Sequence, residues 1–196
     1  NNEASVTTNP FWNTIKSYFE TPDYDYTPPL PISTTCFPAR TPIHTNQGII
    51  NIDKINTNIH TIRGKPIVAI TKTITHDKYL VCFEQNALGN NLPSQQTIIS
   101  KNHLLFYNGK MLKASELLGK SAGVKKVKYT GEVLYNVLLE NHDKMIVNNL
   151  ICETLHPQNK VAQLYNLLNQ YPCEEHATMI QRYNSIIIKK NRSESK

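Results

Sequence analysis

No apolar run approaches the roughly 18 residues that a bilayer-spanning helix needs, and the amino terminus lacks the basic-then-apolar order of a signal peptide. A membrane-spanning helix is thereby excluded, and the chain reads as soluble; its compartment is otherwise unreadable. Four cysteines, Cys36, Cys82, Cys152 and Cys173, include no C-x-x-C pair, so neither a zinc knuckle nor a thioredoxin-type dithiol is indicated. No metal or cofactor site is expected. The even count leaves disulfides open. A formal charge of +6 is present without a basic stripe: lysine and arginine are spread along the chain, with local clusters only in KKVK at 125–128 and KKNR at 189–192. No aromatic platform accompanies KKVK, so the charge does not favour a nucleic-acid partner. The chain opens Asn1-Asn2 without methionine, as an excised or processed fragment would.

The 196 residues suit one domain with appendages. PFWNTIKSYFE at 10–20 sets Phe11, Trp12, Ile15, Tyr18 and Phe19 on one helical face. The Pro-rich stretch that follows, TPDYDYTPPLPISTT, predicts an extended, exposed linker ending at Cys36. From Thr41 to about Glu153 the texture is short runs of Ile, Val, Thr, Tyr and Leu, broken by turn residues at the spacing of β hairpins. One exception, MLKASELLG at 111–119, predicts one or two helical turns ended by Gly119. After Pro157 a helical period returns at Val161, Leu164, Tyr165 and Leu168, and Pro172 precedes a second helical segment over 174–187. Cys173 reads as a helix-start residue and Cys82 as a core residue.

Cys36 stands at the junction of linker and β region. A cysteine thiolate there can attack the carbonyl of the residue before it, exchanging the Thr35–Cys36 amide for a thioester through a five-membered ring. That exchange is uphill in an ordinary peptide. It needs a proton for the departing nitrogen, stabilisation of the oxyanion, or strain in the scissile bond. Without further context a lone cysteine is more often a small hydrophobe.

The context comes from three blocks in order. CFPARTPIHTNQGIINIDKI, TIISKNHLLFY at 97–107 and VLYNVLLENHDKMIVNNLICETLHP at 133–157 resemble the opening, middle and closing blocks of the Hint superfamily, the self-processing domain of inteins and of hedgehog proteins. The resemblance spans residues 36–157 and is to stand-alone, intein-like Hint domains of the kind found in large DNA viruses; the Asn- and Ile-rich composition is compatible with an AT-rich genome. It implies a mainly β fold, a horseshoe of antiparallel strands with pseudo-two-fold symmetry and short flanking helices. The implied organisation is a flank over 1–35 that is released, the Hint domain over 36–157, and a helical extension with a basic tail over 158–196.

By the same resemblance Cys36 is the nucleophile and His103 the imidazole acting on the scissile amide, with Thr35–Cys36 the cleavage site. Ser100 takes the place of the threonine in Thr-x-x-His, keeping the hydroxyl and losing the methyl that fixes its rotamer. Asn136 takes the place of an aspartate, and its amide can donate a hydrogen bond but cannot accept a proton. Thr41 matches the threonine of the opening block. Cys152, in the closing strand, is a secondary candidate for the acyl group or for oxidation with Cys36. His44, His60, His76, His142 and His176 lack block context and read as surface or turn residues.

Inteins end in His-Asn. Here Glu153 and Thr154 occupy that place, and a three-residue shift brings in His156-Pro157, which has no side-chain amide to cyclise. The implied outcome is amino-terminal cleavage without splicing. Hedgehog domains pass the acyl group to a sterol activated by an acidic residue, whereas KPIVAITKT at 65–73 supplies Lys72 and no carboxylate. Water or a small thiol, amine or alcohol is the acceptor this leaves, and the chain's own upstream polypeptide is the substrate. Two alternatives stand beside this reading: a Hint-fold module of a larger assembly that does not cleave, and a basic β domain that binds nucleic acid.

Overall fold

The computed structural model describes residues 29–193, so the helix expected over 10–20 lies outside the described residues. The β texture resolves into thirteen strands: β1 (Phe37–Pro38), β2 (Pro42–Thr45), β3 (Gly48–Asn51), β4 (Thr61–Ile62), β5 (Lys65–Thr73), β6 (Tyr79–Phe83), β7 (Thr97–Ser100), β8 (Leu104–Tyr107), β9 (Lys110–Lys113), β10 (Val124–Lys128), β11 (Leu134–Leu139), β12 (Lys144–Val147) and β13 (Leu150–Glu153). They assemble as β1-β11-β5-β4, β10-β6-β7, β12-β13-β8-β9 and the hairpin β2-β3. Every strand-to-strand ladder is antiparallel. The architecture is the mainly β one expected.

Local chemistry explains the hairpins. Asn108-Gly109 joins β8 to β9 with φ of 47° and 79°, the left-handed pair that a type I′ turn requires. Asn148-Asn149 does the same between β12 and β13 with φ of 49° and 68°, because asparagine tolerates that region better than other side chains. Inward residues of these strands form one main core that includes Phe37, Ile43, Phe83, Leu105, Val137, Met145 and Cys152.

The 111–119 segment departs from expectation. Lys110–Lys113 pairs with β8 as a strand, and only Ala114–Leu117 forms a 3-10 turn. Met111 and Leu112 sit opposite Phe106 and Leu105 across that ladder, so pairing overrides the local helical preference.

Two helices follow the β region, α1 (Lys160–Leu168) and α2 (Cys173–Ser193). Asn159 caps α1 by accepting from the Val161 amide. Val161 and Ala162 pack on Leu138 and Leu155, while Leu164 and Leu168 pack on Ile180 of α2. Each large apolar side chain so buried contributes about 1.5–3 kcal/mol. The ring of His176 donates to the carbonyls of Leu168 and Tyr171, tying the start of α2 to the turn that ends α1. None of the described helices is long and apolar enough to cross a membrane.

Candidate functional site around Thr35 and Cys36

Residues 30–33 run extended alongside the end of β5, but Pro31, Ile32 and Ser33 are buried rather than exposed as a linker would be, because Ile74 donates to the Pro31 carbonyl and accepts from the Ser33 amide. A bend at Thr34–Thr35 then delivers the chain into β1. The Thr35–Cys36 peptide therefore lies where a flank ends and the sheet begins.

Both ends of that peptide are held. The Cys36 amide donates to Ser100 Oγ at 2.7 Å, and the Ser100 hydroxyl in turn donates to the Thr34 carbonyl at 2.9 Å. Asn136 Nδ2 donates to the Thr35 carbonyl at 2.6 Å. The orientation of this amide is set by its neighbour: the Val137 N–H donates to Asn136 Oδ1 at 2.8 Å, and a backbone donor can only face the oxygen. The other end of Asn136 must then present its NH2 to the scissile carbonyl. Backbone bonds tie the same strands together, the Ser100 amide to the Cys36 carbonyl and the His103 amide to the Ser100 carbonyl.

Cys36 is fully buried beside Leu80 and Leu134, and its sulfur lies 3.2 Å from Thr73 Oγ1. Burial raises the thiol above its ordinary value, and the nearby Asp77 charge pushes the same way, against hydrogen bonds from Ser33, Thr73 and the Thr35 backbone. At rest the group is a thiol. Any attack by sulfur needs a base for its proton.

His103 is also fully buried, with its ring 4.3 Å from that of Phe37. Its Nε2 sits 2.9 Å from the Glu153 carbonyl. A carbonyl accepts only, so Nε2 carries the proton and Nδ1 has a free lone pair. Nδ1 is buried without a partner. Burial lowers the pKa of the ring, outweighing the raising effect of Glu153. The Glu153 carboxylate meanwhile accepts from the Leu104 amide and contacts His142 Nε2 at 3.1 Å.

Among the described residues three buried side-chain polar atoms lack a partner: Thr35 Oγ1, Asp77 Oδ2 and His103 Nδ1. All three belong to residues at or near the scissile peptide, and such exceptions call for a reason other than stability. The other oxygen of Asp77 is 2.7 Å from Lys101 Nζ. A cleft of about 1100 Å³, whose lining includes Ile32, Thr34, His76, Asp77 and Lys101, opens beside the segment.

The remaining sequence candidates are placed elsewhere. Thr41 closes the turn after β1 by donating to the Pro38 carbonyl. Cys152 is buried in the main core opposite Met145 and Leu105, where burial pushes its thiol far up, while Cys36 belongs to a separate apolar cluster. His156 is exposed and packs on His142 at 4.6 Å. Lys72 points to solvent. The alternation that turns Lys72 out turns Thr71, Thr73 and Thr75 in, and Thr73 is the partner of the sulfur that sequence reasoning missed. A signal for it existed: T-K-T-I-T puts three hydroxyls on a strand's buried face, where aliphatic residues are the norm.

Several of the chain's cations are engaged within the molecule. Lys125 pairs with Glu84, Lys126 lies 4.6 Å over the Tyr79 ring, and Arg63 and Lys65 both reach Asp143. The KKVK stretch is thus an edge strand paired with β6, two of whose lysines, Lys125 and Lys126, have partners.

His103 and Cys36 set opposite limits on stability. His103 has its pKa depressed by folding, so the neutral form is favoured and stability falls as pH drops below the ordinary 6.5. Cys36 has its pKa raised, so stability falls as pH climbs above the ordinary 9.0. Asp143, lowered by Lys65, acts only below 3.8. Urea midpoints at about pH 5 and about pH 7.5 should therefore differ in the unmutated chain and converge in His103→Gln, which cannot titrate. An unchanged difference in that variant would remove His103 as the cause.

Among curated proteins no relative matches the chain. Among solved structures the chain is similar to a GSH-linked, splice-inactive variant of the AceL NrdHF class 3 split intein, at 13% identity and a TM-score of 0.36, over 61% of this chain and 96% of that one. The family model described as Hint domain matches residues 35–159, which takes in Thr35, Cys36, Ser100, His103, Asn136 and the whole β region. The chain therefore belongs to the Hint domain family, the self-processing group that its three sequence blocks resemble.

Proposed function

We propose that the chain cleaves itself between Thr35 and Cys36 through a thioester, without splicing. The observation that carries this reading is the double hold on one peptide bond: Ser100 on its amide nitrogen and Asn136 on its carbonyl oxygen. A structural loop has no need of side-chain partners at both ends of one peptide.

In the proposed reaction His103 Nδ1 takes the Cys36 thiol proton and the sulfur attacks the Thr35 carbonyl carbon. Negative charge gathers on the Thr35 oxygen, where the Asn136 amide stabilises it. The proton held by His103 passes to the Cys36 nitrogen, the C–N bond breaks and the C–S bond remains. Water or a small thiol, amine or alcohol then takes the acyl group. The products are a flank ending at Thr35 and a chain beginning at Cys36 with a free amine and a free thiol. The sequence at 153–154 offers no asparagine to cyclise, which supports release without ligation.

The organisation that follows is a released flank over 1–35, a self-cleaving domain over 36–157 and a helical extension over 158–196. The test is the intact mass of the 1–196 chain over time, with and without dithiothreitol. A fragment beginning at Cys36, formed faster with thiol, is the expected result. A constant mass under both conditions would overturn it.

One observation favours a second reading, a Hint-fold module that does not cleave. The Cys36 thiol is wholly buried, raised in pKa and bonded to a threonine rather than a base. The same mass measurement separates the two.

Ser100 gives a graded prediction. Ser100→Ala leaves the Cys36 amide and Thr34 carbonyl without their shared partner and should slow cleavage about tenfold or more, the cost of one buried unsatisfied donor. Ser100→Thr keeps the hydroxyl and should match or exceed the unmutated rate in the same mass assay. Equal rates for alanine and serine would remove Ser100 from the site.

A further inference from the structure

The helical extension does not simply pack on the β region; it reaches the flank upstream of the scissile bond. Asn184 of α2 accepts from the Ile32 amide through Oδ1 at 2.9 Å and donates to the Leu30 carbonyl through Nδ2 at 2.9 Å. One side-chain amide thereby makes the pair of bonds that a neighbouring strand would make to alternate residues. The adjacent Tyr183 hydroxyl donates to the Ile32 carbonyl at 2.9 Å. On the opposite side of the segment, Ile74 bonds the Pro31 carbonyl and the Ser33 amide.

The arrangement compensates for a gap in the strand pairing. Pro31 has no N–H to give to the edge of β5. Two residues before Ile74, the Lys72 amide and carbonyl are instead satisfied together by the Tyr165 hydroxyl of α1, at 2.6 and 2.9 Å. Both helices thus contribute to the edge on which the flank lies: α1 fills the place that the flank leaves open, and α2 covers the flank itself. Burial raises the Tyr183 phenol to about 12, so its hydroxyl stays protonated and remains a donor.

We infer that α2 is a substrate clamp: Asn184 and Tyr183 grip the backbone of residues 30–32 and thereby position the Thr35–Cys36 peptide between Ser100 and Asn136. The contacts go to backbone atoms, so the clamp recognises an extended strand rather than particular side chains at these positions. Its connection to the site is short. Residues 30–33 are fixed by α2 and Ile74, and across the bend that follows Ser100 holds the Thr34 carbonyl and the Cys36 amide while Asn136 holds the Thr35 carbonyl. Freeing the flank would let the bend swing, and misplacement of a reacting carbonyl by a fraction of an ångström is costly. Asn184 and Tyr183 touch no reacting atom; they are positioning residues.

The positioning role rests on the self-cleavage reading, so the test has two arms. The first uses the full chain carrying Cys36→Ala, which holds the flank uncut, and follows residue-resolved amide exchange. Adding Asn184→Ala should speed exchange at the Ile32 amide about tenfold while the β6–β7 ladder stays protected. Asn184→Asp, which keeps the acceptor for Ile32 and loses the donor for Leu30, should lie between. Unchanged Ile32 exchange, or equal loss of protection throughout the molecule, would overturn the clamp.

The second arm measures thiol-dependent cleavage with Cys36 present. Asn184→Ala and the near-isosteric Tyr183→Phe should each slow release of the Cys36 fragment about tenfold at unchanged urea midpoint. Normal cleavage in both variants would overturn the positioning role. No cleavage even in the unmutated chain would sink the self-cleavage reading and, with it, the positioning role, while the exchange arm would still decide whether the grip itself exists.

Discussion

Cys36→Ala should hold the 1–196 chain at constant mass for days in the presence of dithiothreitol, while the unmutated chain is expected to yield a fragment that starts at Cys36. The expectation is all-or-none because no other sulfur can substitute. The other candidate, Cys152, lies in the main core and belongs to a different cluster. Water attacking the amide directly would have to reach a peptide next to a buried cysteine without an activated nucleophile. The alanine variant should also fold, since removing a sulfur from a small apolar cluster is among the milder truncations of a core. Cleavage at the same bond in Cys36→Ala would refute the thioester route, and hydroxylamine trapping of the Thr35 acyl group in the unmutated chain would support it.

Asn136→Ala should lower the cleavage rate about 10²–10³-fold, the usual cost of removing one preorganised donor from a developing oxyanion. The 2.6 Å bond to the Thr35 carbonyl is made in the resting state, and it strengthens as negative charge collects on that oxygen. Part of the penalty is the freed Val137 amide, which loses its acceptor. Asn136→Asp separates the two effects. It preserves size and the acceptor for Val137, but sets a carboxylate against the oxyanion. At neutral pH it should be as slow as the alanine variant, and the rate should recover as pH falls and the carboxyl gains a proton to donate. An aspartate variant that is fast at neutral pH would mean that this position tunes the sulfur rather than the carbonyl.

Legibility differed sharply between elements. The β region was readable because turns such as Asn108-Gly109 carry their own chemistry and bias the backbone toward left-handed conformations whatever surrounds them, whereas Asn148-Asn149 lay inside KMIVNNLI, a stretch that reads as one run. The α1 and α2 helices were readable from the spacing of Val161, Leu164 and Leu168 and from Pro172, which cannot continue a helix. The 111–119 segment misled, since Met111 and Leu112 have helical propensity but find strand partners in Phe106 and Leu105. Cys36, Ser100, His103 and Asn136 stood out through the order of three blocks rather than through any single spacing. Thr73 did not, although its T-K-T-I-T context marked a strand with hydroxyls facing inward.

The sequence by itself determined the turns, the alternation of strands, the capped helices and a cysteine at the end of a proline-rich flank, because each depends on neighbours a few residues away. Only the tertiary structure decided that Ser100 meets the Cys36 amide across 64 positions, that Asn136 meets the Thr35 carbonyl across 101, and that Asn184 meets Ile32 across 152. Such meetings follow from strand register and from how helices dock on a finished sheet. Those in turn depend on burying many side chains at once, and no local pattern carries that information.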